Sequence, residues 1–329
     1  MTQSQFDACN RRIDYLRVSV TDRCNLRCRY CMPEEGVPSI GHERVLRLEE
    51  IARLVGIGVG AGIRHVRLTG GEPLVRKGVV DLVRLIRAMP GIESISMTTN
   101  GVALAGMANA LAEAGLDRVN ISLDSLRPER YRSITRIGNL ADALAGIEAA
   151  RAAGLAPVKI NMVVMRDVNA DEVVDYALRT LAEPWHVRFI EYMPLGDGAE
   201  DARAEYVPSH LIRARIEEAL GSLLSADVTG AGPARNWRLP KAQATIGFIS
   251  AVSEHFCSSC NRMRLSSDGK LLPCLFSDAE FDLRGPLRDG ADDAALAAIW
   301  RDALAHKPAR HHLDEALTTT HHRMSWIGG

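Results

Sequence analysis

The sequence Cys24-Asn25-Leu26-Arg27-Cys28-Arg29-Tyr30-Cys31 contains three thiols at C-x3-C-x2-C spacing, directly after the apolar run Leu16–Val20. Three thiolates on one short loop can bind three irons of a [4Fe–4S] cluster and leave the fourth iron open to a ligand from outside the protein. The alternative is a structural zinc loop, which usually needs a fourth protein ligand. Because Cys24 and Cys28 also fit a zinc-binding pair, the spacing alone favours an iron–sulfur cluster without excluding zinc.

The aromatic residue before the last cysteine adds to this motif. With Tyr30 in that place, the segment resembles the signature of the radical S-adenosylmethionine enzymes. The resemblance implies that the amine and carboxylate of S-adenosylmethionine chelate the open iron. It also implies that one electron from the cluster cleaves the sulfonium and releases a 5′-deoxyadenosyl radical.

The composition is that of an ordinary globular protein, with 329 residues, of which 47% are hydrophobic and 25% charged. The net charge of −1 argues against a broad nucleic-acid-binding surface. No apolar run approaches the roughly 18 residues of a membrane span, and Met1–Arg12 lacks the apolar core of an export signal. Six of the seven cysteines fall into two triplets and Cys9 is left over, which suits metal centres better than disulfides. We therefore expect a protein of the reducing cytoplasm, with no membrane or nucleic-acid partner.

Strand and helix signals alternate through the first two-thirds of the chain. The candidate strands are Tyr15–Val20, Arg64–Thr69, Ile92–Thr98, Arg118–Leu123, Val158–Met165 and Val187–Met193. The candidate helices between them are Arg47–Val59, Gly78–Met89, Leu104–Ala114, Ala141–Ala153 and Asp171–Leu181. This alternation predicts right-handed βαβ units with a parallel sheet, and six units are fewer than the eight of a closed TIM barrel. We therefore expect an α/β fold with two domains: an open, partial TIM-like barrel over residues 1–229, and an α+β extension over residues 230–329 that carries the second cysteine triplet.

Several of these strands carry polar residues at every second position, as Asn120 and Ser122 do. Lys159 and Asn161 are spaced in the same way, and Arg17 interrupts the first strand. Buried parallel strands are usually continuous apolar runs, so these polar faces either meet solvent or line a polar cavity. Since helices should cover the outer face of the sheet, we predict a polar cavity inside the barrel.

The second triplet is Cys257-Ser258-Ser259-Cys260 followed by Cys274. His255 could complete a zinc site, and the spacing alone supports zinc and iron–sulfur about equally. Two triplets that each lack a fourth cysteine make a second [4Fe–4S] cluster the more attractive interpretation. Arg262 and Arg264 follow at i, i+2 spacing, which indicates either the solvated edge of a hairpin or a cationic clamp for an anion beside the metal site.

Together these features resemble the GTP 3′,8-cyclases, the molybdenum cofactor biosynthesis protein A family. The resemblance covers nearly the whole chain, and the segments that carry it are Leu16–Cys24 with Cys28 and Cys31, Thr69–Pro73, Asn120–Ser125, Arg188–Met193, the second triplet and Gly328-Gly329. One departure is His65, where family members often carry lysine, so we assign His65 no substrate contact.

The resemblance implies a role for each matched position. The first triplet, Cys24, Cys28 and Cys31, holds the cluster that cleaves S-adenosylmethionine, and Cys257, Cys260 and Cys274 hold a second [4Fe–4S] cluster whose open iron meets the guanine. The positions matched to S-adenosylmethionine contacts are Tyr30, Gly71, Ser122 and Met193. Those matched to GTP contacts are Arg17, Arg67, Thr98, Lys159, Arg262, Met263 and Arg264. Catalytic roles are implied for Arg17, Arg262, Arg264, Gly328 and Gly329.

The implied reaction converts GTP to 3′,8-cyclo-7,8-dihydro-GTP, the first step of molybdenum cofactor biosynthesis. The deoxyadenosyl radical removes hydrogen from C3′ of GTP, the C3′ radical attacks C8 of the guanine, and an electron and a proton complete the product. The expected partners are a one-electron donor such as a flavodoxin, a cyclic pyranopterin monophosphate synthase that receives the product, and a second copy in a homodimer. Two alternatives remain open: another radical enzyme with an auxiliary cluster, or a metal-binding module without activity.

Overall fold

The computed structural model describes residues 6–36, 38, 40–195, 199–228, 230, 232–311, 313 and 324–327. Within these ranges the strands form one 12-stranded sheet, in the order β12-β11-β10-β1-β2-β3-β4-β5-β6-β9-β8-β7. The strands are β1 Tyr15–Ser19, β2 His65–Thr69, β3 Ser94–Thr99, β4 Arg118–Ser122, β5 Lys159–Val164, β6 His186–Glu191, β7 Leu224–Ser225, β8 Arg235–Arg238, β9 Ile246–Ile249, β10 Arg262–Leu265, β11 Lys270–Leu272 and β12 Phe281–Asp282.

Strands β1 to β6 are parallel neighbours in sequence order, which confirms the predicted open barrel of six βα units. Two later strands lengthen this parallel sheet at its edges, because β9 pairs in parallel with β6 and β10 pairs in parallel with β1. Strand β11 then turns back antiparallel to β10, but β10 is not the solvated edge of this hairpin, because β1 pairs with it on its other side and Arg264 is buried. The C-terminal part of the chain therefore continues the sheet of the N-terminal part on both sides.

Helices lie between the strands at nearly the predicted positions. They are α1 Leu48–Gly60, α2 Val79–Arg87, α3 Ala108–Glu113, α4 Pro128–Thr135, α5 Leu140–Ala152, α6 Val173–Ala182, α7 Ala199–Glu205, α8 Ser209–Leu220, α9 Arg284–Arg288, α10 Asp293–Ala305 and α11 Met324–Ile327. The predicted helix Leu104–Ala114 is divided into a 3₁₀ turn, Leu104–Gly106, and α3. None of the described helices is both long and apolar enough to cross a membrane.

The sequence reasoning missed helix α4, although Pro128 marks its first turn. Proline is favoured there because the missing N–H has no partner in the first turn of a helix. The helix supports the first cysteine loop, since the backbone N–H groups of Arg27 and Arg29 donate to the carbonyls of Thr135 and Ile134 at distances of 3.1 and 3.0 Å.

A close contact between α10 and α1 joins the C-terminal segment to the first βα unit. Trp300 of α10 is 1% exposed and packs against Gly58 of α1. The approach is so close that a Cβ at Gly58 would lie 2.8 Å from the indole ring. The glycine therefore leaves the space that the indole fills, and both helices belong to one hydrophobic core.

We expect Trp300→Ala to lower the free energy of unfolding by about 3–5 kcal/mol, because it removes a large buried ring from close-packed surroundings. Urea unfolding of the metal-free protein under reducing conditions, followed by circular dichroism, measures this change. The matched control is Leu85→Ala in α2, where the leucine is 44% exposed, and its effect should stay within about 0.5 kcal/mol. Similar small effects for both variants would contradict a shared core.

Candidate active site

Both cysteine triplets line the same cavity inside the barrel. The cavity has a volume of about 270 Å³, and its lining includes all six thiols of Cys24, Cys28, Cys31, Cys257, Cys260 and Cys274. The cavity is also lined by polar residues of the parallel strands, among them Asn120, Ser122 and Asn161. The prediction that these polar faces look inward, rather than to solvent, is confirmed.

The first triplet lies on the loop after β1, in a setting that keeps its thiols protonated when no metal is bound. Burial raises the pKa of Cys24 to about 11 and that of Cys31 to about 12, and it raises the pKa of Cys28 as well. The nearby carboxylates Glu72 and Asp124 add to these shifts. Positive charge from bound iron would favour the thiolates instead, so three thiols facing one cavity have the donor chemistry of an iron–sulfur site.

The turn after β2 packs tightly against the segment that leads to Cys24. A Cβ at Gly71 would lie only 2.2 Å from the carbonyl oxygen of Arg23, and one at Gly70 would lie 2.6 Å from that of Thr21. Gly70 also has a φ of 153°, which disfavours other residues. The two glycines therefore allow an approach that no larger residue permits.

Glu72 in this turn is 1% exposed and accepts hydrogen bonds from its own turn and from the end of β3. Its carboxylate accepts hydrogen bonds from Thr99 Oγ1 and the backbone N–H of Asn100, both at 2.7 Å, and from the N–H of Leu74 at 3.0 Å. Burial nevertheless raises its pKa to about 7. The side chain of Asn100 in turn donates to Asn25 Oδ1 at 2.8 Å and lies 3.9 Å from the sulfur of Cys24. Glu72 is therefore connected to the first cysteine loop through Asn100.

The residues matched to S-adenosylmethionine contacts lie in the same cavity as the first triplet. Tyr30, Gly71, Ser122 and Met193 all line the cavity. The hydroxyl of Tyr30 donates to Asp124 at 2.8 Å, and the other oxygen of Asp124 accepts from the backbone N–H of Val163. Tyr30 is thereby connected to β5 by two hydrogen bonds that share the carboxylate of Asp124.

A group of cations lines the same cavity, with Arg67 and Arg264 buried and Arg17 and Arg262 half-buried. Arg17, Arg67, Arg262 and Arg264 line the cavity, and so does Thr98. In the register of the sheet, Arg17 lies beside Arg67 on one side and beside Arg264 on the other. Burial and the neighbouring guanidinium groups lower the pKa of Arg17 well below its usual value, and they lower the pKa of Arg264 to about 10. Mutually repelling cations in a cavity are the arrangement expected of a site for a multiply charged anion.

Lys159 and Met263 are placed differently from these arginines. Lys159 is 1% exposed, and burial together with Arg188 and Arg118 lowers its pKa to about 6. Met263 is fully buried in the hydrophobic core on the opposite face of β10, so only its backbone can face the cavity. Gly328 and Gly329 lie outside the described residues, whereas Met324 of α11 lines the cavity.

Sequence reasoning gave no substrate role to Arg188 or to Tyr15, yet both line the cavity. Arg188 is 6% exposed, and burial and Arg67 lower its pKa to about 9. The guanidinium of Arg67 lies 5.7 Å from the ring centre of Tyr15. In the sequence, Arg188 is a charged residue inside the apolar run Val187–Ile190, and this position indicates a side chain that faces the cavity. His65 begins β2, and its Nδ1 lies 2.9 Å from Ser94 Oγ.

One thiol of the second triplet, that of Cys260, has a different electrostatic setting from those of the first, whereas burial raises the pKa of Cys257 as it does in the first triplet. Cys257 begins a 3₁₀ turn that ends at Ser259, immediately before Cys260. Burial would raise the pKa of Cys260, but the charges of Arg262 and Lys307 lower it to about 6. Among the described residues, no group of three Cys, His, Asp or Glu side chains is arranged to hold a single metal ion. His255 packs edge-on against His311, with the ring centres 4.3 Å apart.

Comparison with known proteins settles the family. The GTP 3′,8-cyclases of Moorella thermoacetica and Heliobacterium modesticaldum are 54% and 55% identical to this chain. Each alignment covers 98% of this chain and 99% of the relative. The chain belongs to the GTP 3′,8-cyclase family.

Family profiles and solved structures agree with this membership. The Radical SAM superfamily matches residues 18–179, and Molybdenum Cofactor Synthesis C matches residues 185–313. The structure of Streptococcus suis SuiB bound to S-adenosylmethionine has a TM-score of 0.61 and 13% identity, covering 87% of this chain and 67% of that one. SuiB bound to precursor peptide SuiA has a TM-score of 0.60 and 12% identity, covering 80% of this chain and 60% of that one. At such low identity the likeness shows the fold alone.

Membership of the radical S-adenosylmethionine superfamily implies S-adenosylmethionine and a [4Fe–4S] cluster for a GTP 3′,8-cyclase family member. The iron–sulfur interpretation of the first triplet is therefore preferred to the zinc alternative. The three thiols of residues 24–31 have the donor type and number that such a cluster needs.

We expect Gly71→Ala to displace the loop that carries Cys24, because the new methyl group would overlap the carbonyl oxygen of Arg23. The expected loss of stability is about 1–3 kcal/mol, with weaker binding of S-adenosylmethionine and less iron at the first triplet. Thermal unfolding, equilibrium binding and iron analysis measure these changes. The control is Gly60→Ala in α1, where an added Cβ meets no atom within 4 Å. Equal behaviour of the two variants would refute the tight-turn interpretation.

Proposed function

We propose that this protein converts GTP to 3′,8-cyclo-7,8-dihydro-GTP, the first step of molybdenum cofactor biosynthesis. One observation carries the proposal: both cysteine triplets and a group of arginines line a single cavity, in a chain that is 54–55% identical to GTP 3′,8-cyclases over 98% of its length. A cavity of this kind can hold an anionic nucleotide between two metal centres.

The end of the cavity at the first triplet would bind S-adenosylmethionine. In this proposal Cys24, Cys28 and Cys31 hold the first cluster, while Tyr30, Gly71, Ser122 and Met193 surround S-adenosylmethionine. When bound, the cluster and S-adenosylmethionine supply the 5′-deoxyadenosyl radical that takes hydrogen from C3′ of GTP. The contribution of the chain is to hold both molecules in reacting positions and to exclude water.

The end at the second triplet would bind the substrate. Cys257, Cys260 and Cys274 would hold a second [4Fe–4S] cluster, and the iron without a protein ligand would be available to the guanine. The residues that would contact GTP are Arg17, Arg67, Thr98, Lys159, Arg262, Met263 through its backbone, and Arg264. The triphosphate would relieve the mutual repulsion of these cations, which supports their assignment to GTP.

The later, reductive part of the reaction would involve Arg17, Arg262 and Arg264, together with Gly328 and Gly329. Support for the tail comes from Met324, which lines the cavity four residues before Gly328. The C-terminal end of the chain would thus lie close to the active site.

The proposal has five further parts. They are a division into residues 1–229 and 230–329, a flavodoxin-type electron donor, a cyclic pyranopterin monophosphate synthase as recipient of the product, a homodimer, and a cytoplasmic location. The six thiols that line the cavity favour a reducing compartment, because oxidation to disulfides would remove the cluster ligands.

Anaerobic incubation of the reconstituted protein with GTP, S-adenosylmethionine and dithionite tests the function. We expect 5′-deoxyadenosine and a cyclised nucleotide in equal amounts, from a protein with about eight irons per chain. Cys257→Ser should bind about four irons and form no cyclised product. Deoxyadenosine without cyclised GTP, even with eight irons, would point to another radical enzyme. A zinc-containing protein that forms neither product would be a binding module.

Lys159 gives GTP binding a pH dependence of predictable sign. Its pKa of about 6 in the free protein leaves it largely neutral at pH 8, and a bound triphosphate should raise that pKa again. Binding at pH 8 should therefore take up close to one proton per GTP, and affinity should fall as pH rises from about 6. Calorimetry in two buffers with different ionisation enthalpies measures this uptake. Lys159→Met should lose it, while the exposed-site control Lys77→Met should retain it; equal uptake in both variants would contradict the assignment.

A further inference from the structure

Lys307 is a buried lysine behind the second cysteine triplet. It follows α10, is 4% exposed, and makes three contacts through its ammonium. The nitrogen donates to the carbonyl oxygen of Pro273 at 2.6 Å and to that of Arg262 at 2.7 Å, and it lies 3.7 Å from the sulfur of Cys260. An ammonium has three donors, so these contacts account for all of them.

These contacts tie together the two chain segments that carry cysteines. Arg262 lies two residues after Cys260, and Pro273 immediately precedes Cys274. One lysine side chain therefore fixes the spacing of two of the three thiols, at the open end of the hairpin formed by β10 and β11.

Arg11 supports the third thiol from the other side. Its guanidinium donates to the carbonyl oxygen of Cys257 at 2.8 Å and to the carbonyls of Pro308 and Ala309 at 2.7 and 3.1 Å. Asp7 forms an ion pair with this arginine at 2.6 Å, so its charge has a carboxylate partner. Arg11 thus anchors the segment after Lys307 to the turn that begins at Cys257.

Lys307 differs from Arg11 because none of its three contacts is to a carboxylate. A buried ammonium is costly unless an anion balances its charge. The nearest candidate is the sulfur of Cys260, which is anionic as an iron ligand.

We propose that Lys307 is a positioning residue for the second triplet, and that its ammonium is the counter-charge of the cluster held there. This inference rests on the proposed function, because it needs a cluster on Cys257, Cys260 and Cys274. A positive charge and an N–H···S contact beside an iron–sulfur cluster favour the reduced form. Lys307 therefore raises the reduction potential of the second cluster.

The test uses a parent variant that can hold only the second cluster, with Cys24→Ala, Cys28→Ala and Cys31→Ala. Lys307→Met and Lys307→Arg are added to this parent, and the proteins are reconstituted anaerobically with iron and sulfide. The control is Lys270→Met on β11, whose ammonium pairs with Glu280. Iron content, circular dichroism and the midpoint potential from a redox titration followed by electron paramagnetic resonance are measured for each protein.

We expect about four irons per chain in the parent, a more negative potential in Lys307→Met, and a potential near that of the parent in Lys307→Arg and Lys270→Met. Loss of the cluster in Lys307→Met but not in Lys307→Arg also supports the proposal. An unchanged potential in Lys307→Met with the cluster intact overturns it, as does cluster loss in both variants when the fold is retained. If the parent folds but binds no cluster, both the second cluster of the proposed function and this inference are wrong.

Discussion

The parallel pairing of β1 with β10 brings the two halves of the site together. Strand β1 leads directly into the first cysteine loop, and β10 begins two residues after Cys260. In the register of this pair, Tyr15 lies beside Arg262 and Arg17 beside Arg264. Since side chains alternate across a strand, the three arginines of these two strands face the same cavity. This pairing therefore holds the segments that carry the two triplets at the same cavity.

The interior is divided by charge. Buried carboxylates lie near the first triplet, whereas arginines and Lys307 lie near the second. This separation fits two different ligands, because a sulfonium cation belongs near negative charge and a triphosphate near positive charge. The fold can maintain the separation only because hydrogen bonds and tight turns hold each charge in place, as they do for Glu72 and Lys307.

Much of this arrangement is predictable from the sequence, because periodicity and spacing are local signals. The six barrel strands and the five helices between them lie within a few residues of the predicted bounds, and the hairpin after Arg264 forms as expected. Helix α4 was missed because its only strong signal is Pro128. Lys307 was missed because a single lysine after a helix is ordinarily a surface residue, and only the packed structure shows that it is buried.

The sequence by itself limited each triplet to a small set of metal-binding chemistries, since three thiols without a fourth cysteine suit an iron–sulfur cluster with one open iron or an incomplete zinc site. It also determined the open α/β barrel, because hydrophobic period and chain order restrict the topology. Only the tertiary structure decided that both triplets face one cavity, that Tyr15 lines it with them, and that Lys307 is buried beside Cys260. These outcomes depend on strand register between segments nearly 250 residues apart, such as Tyr15 and Arg262. Contacts between segments so far apart in sequence depend on the packing of the whole chain, so the spacing of residues within one segment does not predict them.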